Sequence, residues 1–128
     1  MTDILWFEEA GRQDVGRVGG KNASLGEMVQ TLGPAGVAVP PGFATTADAY
    51  WRFVADNGLH EVVRSLLSDR RAGKIGLAEA GQAIRAAFLR GEWPEETATA
   101  IKAAYEELCR RSGLPDLDVA VRSSATAE

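Results

Sequence analysis

Residues 18–28 read V-G-G-K-N-A-S-L-G-E-M. Two adjacent glycines stand just ahead of a stretch with helical spacing, and a lysine sits at the junction. Paired glycines let backbone N–H groups turn toward a ligand. The N-terminus of a helix adds unpaired N–H groups and a partial positive charge. With Lys21 at that point, the arrangement suits a phosphate oxygen. It is not a Walker A loop, which needs glycine where Val15 stands and Ser or Thr where Asn22 stands. The plainer alternative is a glycine turn leading into a helix, with Lys21 a solvated surface charge.

Outward from this stretch, Leu25, Met28, Val29 and Leu32 recur at i, i+3, i+4 and i+7, which predicts one apolar stripe on a helix from Asn22. Gly33-Pro34 ends it, since proline disfavours the helical conformation of its predecessor. Upstream, Ile4 to Phe7 reads as a strand and Asp14 to Gly20 as a glycine loop. Downstream, Gly36 to Thr45 (G-V-A-V-P-P-G-F-A-T) reads as strand, turn and short strand. Thr45 or Thr46 then caps a helix over 47–55, ended by Asn57-Gly58. The middle third is helical: 60–69 with Val62, Val63, Leu66 and Leu67 on one face, and 77–89 with Leu77, Ala80, Ile84 and Phe88. A third helix is entered at Pro94, with Ile101, Tyr105 and Leu108 on its stripe. Leu117 to Ser123 (L-D-V-A-V-R-S) alternates and predicts a strand. The expected fold is a helix-rich α/β (α+β) chain, a small sheet beside a helical block.

A second segment with chemical content is 119–128, V-A-V-R-S-S-A-T-A-E. Arg122 leaves the end of the alternating run, with Ser123, Ser124 and Thr126 following. A planar guanidinium engages two phosphate oxygens at once, where an ammonium acts as a point charge. The competing reading is a strand entering a Ser/Thr turn, with Arg122 in a surface ion pair. Lys21 and Arg122 together form the pattern of a polyphosphate clamp, because moving a phosphoryl group requires charge on several oxygens to be neutralised and held in line.

G-G-K-N-A-S-L-G-E-M, V-P-P-G-F-A-T-T-A-D-A-Y and V-A-V-R-S-S-A-T-A-E, in this order and spacing, resemble three successive signatures of the N-terminal ATP-binding domain shared by the phosphoenolpyruvate synthase and pyruvate phosphate dikinase family. The likeness runs from residue 1 to 128. It implies part of an ATP-grasp type domain, the first subdomain only, with Lys21 and Arg122 contacting the ATP phosphates in catalysis. It places Gly19, Gly20, Ser123, Ser124 and Thr126 beside them. The parent activity so implied makes phosphoenolpyruvate, AMP and phosphate from ATP, pyruvate and water, through a phosphohistidine on a separate domain and with magnesium. The magnesium ligands, second ATP-binding subdomain, phosphohistidine domain and pyruvate domain are expected outside these 128 residues, so the isolated chain is expected to be inactive. Two alternatives stay open: a fragment of a rifampin-type antibiotic phosphotransferase, and a stand-alone interaction module on the same fold.

The 128 residues allow one domain of ordinary size, and 45% hydrophobic with 25% charged residues is a globular balance. A net charge of −4 argues against a nucleic-acid partner, and no apolar run approaches a membrane span. The single cysteine, Cys109, cannot form an internal disulfide and favours a cytoplasmic location. His60, the only histidine, reads as a surface residue, not a phosphoryl acceptor, and no metal cluster is evident. An exposed apolar face is expected of a partial domain, and such a face would allow a dimer.

Overall fold

A computed structural model describes residues 2–127; the predicted motif's last residue, Glu128, lies outside the described residues. The first apolar run forms strand β1 (Ile4–Trp6), which pairs antiparallel with β2 (Phe43–Thr45) in the register Ile4–Thr45, Leu5–Ala44 and Trp6–Phe43. The alternation divides the two faces. Leu5 and Ala44 are buried, while Trp6 and Phe43 lie on the other side with ring centroids 5.4 Å apart. Two 3-10 turns, Phe7–Glu9 and Arg12–Asp14, carry the chain to helix α1 (Val15–Val18) and helix α2 (Gly20–Leu32). The remaining helices are α3 (Ala47–Asp56), α4 (Leu59–Arg71), α5 (Leu77–Arg90) and α6 (Glu95–Ser112).

The residues form two compact units. One holds the chain up to Tyr50 and from Glu95 onward. Its core is Leu5, Ala10, Val18 and Ala44, with Phe7 against them. Thr46 caps α3: its hydroxyl accepts from the Ala49 amide at 3.3 Å and donates to the Thr2 carbonyl at 2.9 Å. α6 packs near β1, and its buried Thr97 Oγ1 donates at 2.8 Å to Oδ2 of Asp3, the residue before the strand. The other unit, Trp51–Pro94, contains α4, α5 and the C-terminal part of α3 around Phe53, Val54, Leu59 and Ala87. Asn57 clamps it locally, donating to the Phe53 and Glu92 carbonyls and accepting from the Glu92 amide. α6 therefore belongs with the sheet, not with the helical block in which the sequence reading grouped it.

Three local expectations are corrected. The glycine loop at 14–20 is a helical turn broken only at Gly19, and α2 starts at Gly20 instead of Asn22. The buried side of α2 is Ala23 and Gly26, while Met28, on the predicted stripe, is 42% exposed. The reason is a close backbone approach: a Cβ on Gly26 would lie 2.2 Å from the Ala10 carbonyl oxygen, so only small residues fit that side. The third correction concerns strands. Between 36 and 45 only Phe43–Thr45 forms one, since Pro40 and Pro41 have no N–H for a ladder. The alternating run at 117–123 forms none. Alternation needs a paired neighbour, and among the described residues none lies along this segment, with Val121 92% exposed.

Candidate phosphate-binding site

Gly19 has φ of 83°, a backbone region that favours glycine, and it turns the chain between α1 and α2. Several polar contacts fix this corner. The buried Asp14 carboxylate accepts from the Gly11 amide at 2.9 Å and from Arg17 Nη1 at 3.1 Å. Glu27 Oε1 accepts from the Arg12 amide at 2.7 Å, which ties α2 to the turn before it. Asn22 donates its side-chain amide to the Val18 carbonyl at 2.8 Å, covering the last residue of α1. Sequence reasoning passed over Asp14, Asn22 and Glu27. An Asp three residues from a glycine amide, and an Asn directly after G-G-K, are local signals that would have found two of them.

The two segments singled out in the sequence meet here. The Gly20 amide donates to the Ala125 carbonyl at 3.1 Å. The Asn22 amide donates to Ser124 Oγ at 3.4 Å, and Lys21 Nζ donates to the Ser123 carbonyl at 3.4 Å. Gly19, Gly20, Lys21, Ser123 and Ser124 are thus gathered at one corner across some hundred residues of chain. Arg122 is exposed and stands one residue from the carbonyl that Lys21 reaches; Thr126 is exposed in the turn that follows. The α2 amides of Gly20 and Asn22, which the sequence reading offered to a phosphate, are engaged by the chain's own 124–125 segment.

The other residues weighed in the sequence lie elsewhere. His60 is exposed and stacks on Trp51, with rings 5.5 Å apart and 6° from parallel. Cys109 is buried on α6, where its hydrogen bond with Tyr105 raises the phenol pKa above its ordinary value. Among the described residues no group of three or more His, Cys, Asp or Glu side chains converges as a metal site. The magnesium implied by the resemblance therefore finds no fitting ligand set among them. No helix of the described residues is long and apolar enough to cross a membrane.

Comparison with known proteins adds a family and relatives. The family model described as pyruvate phosphate dikinase, AMP/ATP-binding domain, matches residues 15–128. Similar proteins include the phosphoenolpyruvate synthases of Synechocystis sp. strain PCC 6803 (50% identical over 130 residues), Neisseria meningitidis serogroup B (48% over 126) and Escherichia coli K12 (44% over 126). Each match covers 98% of this chain and 16% of the relative. The chain thus spans about one sixth of the length of the proteins it matches.

Proposed function

The chain belongs to the pyruvate phosphate dikinase AMP/ATP-binding domain family, and on that premise we propose that it is the ATP-phosphate-binding portion of a phosphoenolpyruvate synthase, the first part of an ATP-grasp type domain. The parent reaction converts ATP, pyruvate and water to phosphoenolpyruvate, AMP and phosphate. The synthase name carried by the relatives supports pyruvate over an antibiotic as final acceptor. Turnover is assigned to the full-length protein, whose remaining length is the chain's partner besides ATP. Exposed Val119 and Val121 offer that partner apolar surface. The buried cysteine suits a reducing cytoplasm.

One observation carries the reading: Lys21 reaches the Ser123 carbonyl, next door to Arg122. In this reading the ammonium at the N-terminal turn of α2 and the guanidinium of Arg122, on the adjoining segment, are two cations of different geometry that engage the same ligand. A triphosphate lying there gains charge-assisted hydrogen bonds from both, and the helix end adds a favourable dipole. Stabilising negative charge on the transferred phosphoryl group is the chemistry such cations perform.

An NMR titration of the 128-residue chain with ATP tests this. Amide shifts are expected at 20–22 and 122–125, with affinity falling about tenfold or more in each of Lys21→Ala and Arg122→Ala, as loss of a charged hydrogen bond implies. Unchanged affinity in the double variant, or no shift at these amides in the unaltered chain, overturns the assignment.

A further inference from the structure

We propose that Ser124 is the cap of helix α2, supplied from far along the chain, and that Gly19 is glycine so that this cap can dock. Both are positioning residues for Lys21 and not phosphate ligands. The inference rests on the phosphate reading only for the purpose of the positioning; the cap itself stands on geometry.

The first turn of a helix leaves amides without intrahelical partners, and the N-cap side chain normally accepts from the second or third of them. At α2 the N-cap position is Gly19, which has no side chain to offer. Serine, threonine, asparagine or aspartate, the usual caps, would each need the backbone that Gly19 adopts at φ 83°, where L side chains are strained. The missing acceptor comes from Ser124, whose Oγ takes the Asn22 amide, the third of the helix. The Ala125 carbonyl takes the Gly20 amide, the first. Space agrees with chemistry. A Cβ at position 19 would fall 2.2 Å from Ser124 Oγ, 2.8 Å from the Ser124 carbonyl carbon and 2.9 Å from the Ala125 nitrogen. Any side chain at 19 evicts the cap. Lys21 lies between the two clasped amides and adds its own contact to the Ser123 carbonyl, so the backbone that presents its ammonium is held by the same segment that presents Arg122. A frayed first turn would leave that cation on a mobile stem and raise the entropy of holding a ligand.

Amide hydrogen exchange read by NMR, paired with ATP titration, tests both halves. Ser124→Ala is expected to speed exchange of the Asn22 amide about fivefold, the loss typical of a helix cap, and Ser124→Thr to restore it. Gly19→Ala is expected to speed both Gly20 and Asn22. Amides of α5 stay unchanged in all three variants, which separates a lost cap from general destabilisation. ATP affinity is expected to fall several-fold in Ser124→Ala and to recover in Ser124→Thr, while Arg122→Gln lowers affinity with exchange unaltered. Unchanged Asn22 exchange in Ser124→Ala overturns the cap even if ATP binds. Faster exchange with undiminished ATP affinity overturns the positioning role. Faster exchange in a chain that binds no ATP at all supports the cap and sinks the nucleotide reading instead.

Discussion

Gly26 tests how closely α2 is seated. In mid-helix, alanine is favoured over glycine by about 1 kcal/mol. Against that gain, the added methyl would meet the Ala10 carbonyl oxygen at 2.2 Å, its carbon at 2.7 Å and the Ala10 Cβ at 2.9 Å. These are mostly backbone atoms of a fully buried residue, so they cannot swing aside, and Gln30 Nε2 already donates to the same carbonyl. The clash wins. Gly26→Ala is expected to lose about 2 kcal/mol net in urea unfolding, within the usual cost of overpacking; stability equal to or above the unaltered chain would mean the close approach is not kept in solution. The residues of G-G-K and R-S-S could be singled out because their types suggest a chemistry, and the structure brings the two segments together. Gly26 and Glu27 could not, since no local pattern shows that a neighbouring backbone will arrive within contact distance or that a carboxylate will meet an amide 15 residues back along the chain.

At the scale of elements, the C-terminal end of α6 carries a cluster of charged side chains beside the buried Leu108 and Cys109. The Arg111 guanidinium lies 4.0 Å from the Trp6 ring centroid and bonds to Glu8 at 2.6 Å, while Glu107 receives both Arg110 and Arg111. Hydrogen bonding from Arg110, and then Arg111, holds the Glu107 carboxyl at about 2, below its ordinary 4.5. A depressed folded pKa stabilises the fold above the unfolded value, and that contribution disappears as pH falls from 4.5 toward about 2. Replacing Glu107 by Gln should therefore lower the thermal midpoint near neutral pH, with the gap to the unaltered protein closing across that acid window. Added salt should narrow it as well, because the partners are solvent-exposed. A gap that is constant through the window would show the cluster to be energetically idle. Helices of this kind were readable from their 3.6-residue period and their Gly and Pro stops. The strand expected at 117–123 was not decided by its own residues, because a ladder is a property of two segments and alternation describes only one of them.

For the molecule as a whole, separate cores imply separate responses. Phe53 is 8% exposed and packs against Phe88 (6.1 Å between centroids) and Trp93 (5.0 Å), all within Trp51–Pro94. The candidate site draws on a different core, Leu5, Ala10, Val18 and Ala44. The sequence showed a helical block but not its limits, since periodicity marks which face of a helix is apolar and not which neighbour it will meet. Truncating Phe53 to Ala removes most of an aromatic core residue, a change that costs about 4 kcal/mol. Where stability is distributed over local units, that loss appears as opening of α4 and α5 before anything else. Hydrogen exchange on Phe53→Ala should accordingly show lost protection in α4 and α5, with the Gly20 and Asn22 amides at the clasp retaining theirs. Equal loss of protection at both places would mean that the chain unfolds as one cooperative body and that the clasp depends on the helical unit's core.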